Sequence, residues 1–281
     1  SRALRFAASG EMYLHDFASG LPTGGVGQLR LTDLQVDPEG VFERPARFSL
    51  GVVDMRLRTE PFRVDIGQMQ LLDDRTRISG KGAVSAGEQG WRIAFDAGID
   101  RIGRRDLMAL WPAALVPPTR AWVDENIATG ELHNVRAAIR LAPGTEPRFE
   151  LGYEFRDTQA TLLRTLPPVR DGRGFATIFD NSHALKVETG VIDAPEGGAV
   201  DVSDSQIVVP DIREKPARAD IRLMTRSSIP AALSVLDQPP FEFMKKAGKT
   251  PDLATGTAEA RTDLSFLLEK KIDPKDVDFH V

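Results

Sequence analysis

At 281 residues, with 41% apolar and 27% charged side chains, the chain has the composition of a folded protein long enough for one large domain or two ordinary ones. Acidic residues outnumber basic ones, 41 to 36, and a net charge of −5 argues against a nucleic-acid binder. With no cysteine, a disulfide framework, a thiol nucleophile and a thiolate metal site are all excluded.

No run approaches the roughly 20 apolar residues of a membrane-spanning helix, and no signal-peptide pattern opens the chain. The chain begins at Ser-Arg rather than at methionine. The expectation is a piece of a longer protein whose anchor or export signal lies upstream.

From Glu11 the sequence reads as short runs punctuated by turn residues. The stretch LPTGGVGQ, Leu21 to Gln28, reads as a loop. Its glycines resemble a phosphate cradle only superficially, because no Lys-Ser/Thr and no helix follow. Asp37-Pro38-Glu39-Gly40 has the residues of a type I or II turn. Phe48, Leu50 and Val52 share one face, and Val53, Met55 and Leu57 continue on the other parity, a one-residue slip that suggests a bulge. Phe62, Val64 and Ile66 alternate with Arg63 and Asp65; Trp91, Ile93 and Phe95 alternate with Arg92, Ala94 and Asp96. These are half-buried antiparallel strands with one wet face. Glycine-rich pieces at 79–82 and 87–90 frame a further short strand between them.

The β series stops at 104–130. Trp111-Pro112 closes a short helical turn, and Pro117-Pro118-Thr119 opens a second helix whose Trp122, Val123 and Ile127 form one apolar side, with Gly130 as its expected end. Strands then resume: Val135 to Leu141, then Phe149, Leu151, Tyr153 and Phe155 against Glu150, Glu154 and Arg156. Further strands carry Phe175, Thr177 and Phe179, then Leu185 and Val187, Val200 and Val202, Ile207 and Val209, and Ala219, Ile221 and Leu223. Ile229, Leu233 and Leu236 lie at helical spacing before Pro239-Pro240, within a helical interval near 227–247. A last strand carries Val277, Phe279 and Val281. The organisation is a β segment over 1–103, a helical interruption over 104–130 and a β segment over 131–281, read as one continuous module.

About twelve strands at ~4.8 Å make a sheet roughly 55 Å across, and a packed helix is only ~10 Å wide, so three short helices cannot cover its apolar face. Two solutions remain open on pattern alone. The sheet folds on itself as a sandwich or barrel, or it curls into an open trough filled by ligand.

Chemistry-bearing constellations are absent from the pattern. His15, His133, His183 and His280 stand singly, without ligand spacing, and read as surface or strand residues. There is no Gly-x-Ser-x-Gly elbow. The pairs Asp73-Asp74 and Asp124-Glu125 sit in turn-like or helix-surface settings, and Lys245, Lys246 and Lys249 read as a solvated helix end. No catalytic residue, metal or cofactor is expected.

The Trp111-Pro112 pair, the Thr119-Arg120-x-Trp122 run and Ile127-x-x-Gly130 resemble the pattern of the AsmA-like superfamily of bacterial envelope proteins, in particular its YhdP-type members. Leu166-Pro167-Pro168-Val169 followed by Gly174-Phe175-Ala176, the run from Ile207 to Leu223, Ala231-Ala232-Leu233 with Leu236-Asp237-Gln238-Pro239-Pro240, Gly256-Thr257-Ala258 and Asp276-Val277-Asp278-Phe279 extend the likeness over roughly 90–281. Leu166 departs from it, since the family often has tryptophan before that proline. The resemblance implies a mostly β fold, an extended, curled antiparallel sheet forming an open groove with two or three short helical interruptions. It implies a non-enzymatic periplasmic segment, anchored to the inner membrane in the full-length protein, that shelters phospholipid acyl chains and supports outer-membrane maintenance. Phe62, Val64, Ile66, Trp91, Ile93, Phe95, Phe149, Leu151, Phe155, Ile221 and Leu223 would line the groove. Each also fits an ordinary core. The alternative is a structural or assembly module whose apolar face packs internally or on an envelope protein partner.

Overall fold

The computed structural model describes residues 4–37, 42, 44–113, 115–239, 241–268 and 278–280. Pro38, Glu39 and Gly40 of the expected turn, Pro240, and Val277 and Val281 of the last expected strand lie outside the described residues. The fold is mostly β. Fifteen strands form an antiparallel sheet, fourteen of them on one path that runs from β1 to β15 without closing. The sheet is therefore open rather than a closed barrel.

The chain divides into two compact units, residues 1–120 with 133–152, and 121–132 with 153–281. In the first, β1 (Leu4–Ala18), β2 (Leu21–Val36), β3 (Ala46–Thr59), β4 (Phe62–Leu72), β5 (Arg77–Gly87) and β6 (Gly90–Gly103) pair in sequence order as a meander. Helix α1 (Arg104–Leu110) follows. Helix α2 (Pro117–Asn126) buries no residue. Strands β7 (Ile127–Leu141) and β8 (Arg148–Ala160) come next in the chain.

The second unit carries β9 (Val169–Phe179), β10 (Ser182–Asp193), β11 (Ala199–Asp201), β12 (Gln206–Val209), β13 (Arg218–Ser228), helices α3 (Ile229–Leu236) and α4 (Phe243–Lys246), β14 (Thr257–Leu267) and β15 (Asp278–His280). Strand β10 pairs with β9 on one side and with both β11 and β12 on the other, and β13 continues the sheet from them to β14.

Several expectations are corrected. The stretch LPTGGVGQ is strand, not loop: it forms the first half of β2. Its glycines suit a strand because large cross-strand side chains cover them. A Cβ at Gly24 would stand 2.5 Å from the His15 ring, and one at Gly25 3.1 Å from Leu14 Cδ2. The first strand starts at Leu4 rather than Glu11. Gly130 does not end α2 but lies inside β7. The helix stops at Asn126, whose side-chain amide donates to the Trp122 carbonyl, so the last turn is satisfied by a side chain and β-branched Ile127 starts the strand.

The slip inferred in β3 has two parts. Pairing of β3 with β4 shifts between Asp54 and Met55, where Gly67 is the extra residue on β4. Phe48 nonetheless packs in one cluster with Leu71, the register partner of Gly51, so the apolar parity of β3 switches between 48 and 51. In β9 the alternation is the reverse of an aromatic core face. Phe175, Thr177 and Phe179 are exposed, while Gly174 and Ala176 are buried.

A candidate apolar chain-binding face

Directly opposed residues of an antiparallel pair share a face. In the first unit the registers therefore define rows that cross β1 to β6. One row is Leu14, Gly25, Leu57, Val64, Val84 and Ile93. The next is Met12, Gly27, Met55, Ile66, Gly82 and Phe95. Then come Gly10, Leu29, Val53, Met69, Gly80 and Ala97, and finally Ala8, Leu31, Gly51, Leu71, Ile78 and Ile99. No side chain in these rows is polar. Six strands at ~4.8 Å and four rows two residues apart give a footprint of roughly 24 by 20 Å.

The intervening rows face the other way and carry the charged residues among small or aliphatic ones, as in His15, Gly24, Arg58, Arg63, Ser85 and Arg92. Charges there neutralise one another locally. Arg63 bridges Asp65 at 2.6 Å and holds its carboxyl below the ordinary carboxylate range. Gln28 donates to Asp54, and Arg140 of β7 reaches Asp96 at 2.5 Å. A depression of about 690 Å³ opens on this polar side, lined in part by Glu11, Tyr13, Gln28, Asp54, Arg56 and Asp65. It is shallow, and Tyr13 donates to Glu11 as Gln28 does to Asp54, so its polar groups satisfy each other. We assign it no role.

Only one end of the apolar face is sealed by a described helix. Leu110 of α1 packs on the cluster of Leu34, Ala46, Phe48, Leu31, Leu71 and Ile78, which includes the fourth row. In the other three rows only Gly25 is buried. Beyond the first row, at the end away from α1, Phe62 and Trp91 stand exposed at 36% and 59%.

The second unit repeats the arrangement. Ala176, Leu185, Ile207, Ile221 and Leu264 form an apolar row across β9, β10, β12, β13 and β14. Helix α3 seals one end, where Ala231 and Val235 pack with Val200, Val202 and Leu223. Val209, Ala217 and Ala219, with Ile212 and Phe266, close the other. His183 lies on this apolar face, opposed to Ile178 and Val209, and burial lowers its pKa.

The predicted lining residues thus fall in three groups. Phe62, Val64, Ile66, Trp91, Ile93 and Phe95 come together on the face of the first unit. Phe149 and Leu151 occupy alternate positions of β8, the first exposed and the second half-buried. Phe155, Ile221 and Leu223 share the face of the second unit: Phe155 is buried over Gly174, Leu223 lies under α3, and Ile221 is half-buried between the two clusters. Sequence reasoning missed Met12, Leu14, Met69 and Val84. The alternation of β4 and β6 was visible, but the register shift between Ile66 and Met69 put Met69 out of step, and glycines hid the alternation of β2 and β5.

Among the described residues no group of three or more metal-ligating side chains assembles, and no helix is long and apolar enough to cross a membrane. The face of the first unit is lined by apolar side chains alone. No family model matches the chain, nor does any curated protein or solved structure.

Proposed function

We propose that this chain is a non-enzymatic lipid-sheltering segment that holds phospholipid acyl chains against its apolar sheet face. One observation carries the reading: three contiguous rows across six strands carry no polar side chain, and only Gly25 among their residues is buried. Each CH₂ taken from water onto such a surface contributes up to about 0.8 kcal/mol, so a chain of ordinary length binds without any head-group contact. A footprint of roughly 24 Å exceeds the ~15 Å depth of one bilayer leaflet's hydrocarbon. The polar face keeps the opposite side in water. The AsmA-like, YhdP-type resemblance supports the same reading and adds its setting: the periplasm, attachment to the inner membrane through another part of the full-length protein, and a contribution to outer-membrane maintenance.

A second reading, an assembly module that meets an envelope protein, is favoured by β1. This fifteen-residue strand, at the edge of the sheet among the described residues, is exposed at every position but His15, which is half-exposed, and it displays Tyr13 and Phe17 at 66% each. Unpaired edges of this kind accept strands from other chains.

Native mass spectrometry with lipid extraction on protein purified without detergent, then challenged with labelled phospholipid, separates the readings. Co-purifying or captured phospholipid is the expected result. Protein that neither carries nor takes up lipid sinks the first reading and leaves the second.

A further inference from the structure

The apolar face of the first unit is floored with glycine. Gly80 and Gly82 both point to it from β5, and their register partners on β6 are Ala97 and Phe95. A Cβ on Gly80 would stand 2.7 Å from Phe95 Cζ, and one on Gly82 2.7 Å from Phe95 Cδ2, with the Ala94 carbonyl oxygen nearer still at 2.3 Å. The ring therefore occupies the space that a Gly80 side chain would claim and covers Gly82, where the β6 backbone itself leaves no room for one. It lies along the sheet instead of standing on it. Met69, opposed to Gly80, brings its Cε within 2.7 Å of the same point and closes the trough from the other side. In the second unit Phe155 likewise covers a glycine, its Cζ 2.7 Å from where a Gly174 Cβ would stand, although the Lys186 carbonyl oxygen is nearer at 2.0 Å.

We propose that Phe95 is a specificity-determining residue for the apolar ligand: by filling the Gly80–Gly82 trough it gives the face a floor without recesses, selecting unbranched over branched or ring-bearing chains. This rests on the lipid-sheltering reading above. An unbranched chain lies flush on such a floor and keeps its dispersion contacts along its length. A methyl branch or a ring has no recess to enter and props the chain away, and contact energy falls steeply with a gap of even half an ångström. Removing the ring exposes a hollow above two glycines that a branch can occupy.

Equilibrium binding of palmitate and of phytanate, its methyl-branched counterpart, to the purified wild-type chain and two variants tests this. Wild type is expected to prefer palmitate, and Phe95→Ala to narrow that preference by about tenfold, the scale on which an apolar site discriminates a methyl group. Gly80→Ala adds a methyl that meets only the far ends of Phe95 and Met69, so it lifts the ring without moving backbone. It is expected to weaken palmitate several-fold with an unchanged circular-dichroism spectrum. If Phe95→Ala does not fold, Phe95→Leu replaces it. An unchanged palmitate-to-phytanate ratio in the Phe95 variant, or unchanged palmitate binding by Gly80→Ala, overturns the inference while leaving lipid sheltering intact. Wild type that takes up neither ligand removes the lipid-sheltering reading itself, and this inference with it.

Discussion

Phe62 and Trp91 meet edge to face, ring centroids 5.8 Å apart and planes at 79°, at the end of the first unit's apolar face that α1 does not reach. The pair is exposed enough to report on a ligand and weak enough to be removed. In a background with Trp111 and Trp122 changed to Phe, palmitate should shift the Trp91 emission to the blue. Trp91→Ala should cost only about 1 kcal/mol of stability, the aromatic pair and little else. Emission that ignores palmitate while binding is detected independently would place the ligand elsewhere.

Neighbouring residues on β6 offer a face-specific contrast. Ile93 belongs to the apolar first row, whereas Arg92, beside it, points to the polar side. Ile93→Asp is expected to abolish lipid uptake and cost about 2 kcal/mol in urea unfolding, from burying an unpaired charge. Arg92→Asp should change stability by less than about 0.5 kcal/mol and leave uptake alone. Equal effects of the two would refute the facial assignment.

Helix α3 is strapped to the 194–198 turn. Ser228 Oγ accepts from the Ala231 amide and donates to the Gly197 carbonyl at 2.7 Å, and buried Ser234 receives the Glu196 amide. Gly197 has φ +78°, and a Cβ there would fall 2.4 Å from the Ala231 nitrogen. Gly197→Ala should therefore lose about 2 kcal/mol or more, and Ser234→Ala about 1–2 kcal/mol. Chemical denaturation measures both.

Stability should fall with acid in two separate windows. Burial depresses the His183 pKa from 6.5, so the neutral ring stabilises the fold fully above about 6.5, and that contribution is lost as pH falls toward the lower folded value. His183→Leu should flatten this upper window in thermal melts. Asp211 is pulled from 3.8 down to about 2, first by the hydrogen bond from the Arg213 side chain and then by that from its backbone amide. Its contribution is intact above about 3.8 and disappears as pH drops toward about 2. Asp211→Asn should blunt only the lower window.

Strands β4, β6 and β13 were legible because their apolar and charged residues alternate strictly, as Phe62, Val64 and Ile66 do with Arg63 and Asp65. Fold class followed from the many strands and few helices. Hidden from the sequence were the glycine strands. Gly24, Gly25 and Gly27 suggest a loop when read alone, and only the partner strand supplies the Leu14 and Met12 side chains that cover them. The facing of β9 was equally illegible, since Phe155 from β8 takes the space that its own Phe175 would be expected to fill. Whether an apolar face is capped depends on helices landing on it, and local periodicity carries no record of where a helix such as α1 lands.

From β1 to β6 every strand pairs with its neighbour in sequence. Such a meander needs no distant segment before it can begin to form. Loop closure costs little when the partners are adjacent, so hairpins can add one after another as the chain emerges, each using the last as its template. A growing sheet of this kind always presents one open edge and one uncovered apolar face. The stage at which it is most exposed to aggregation is therefore its own assembly, and building the sheet in order, end to end, shortens that stage.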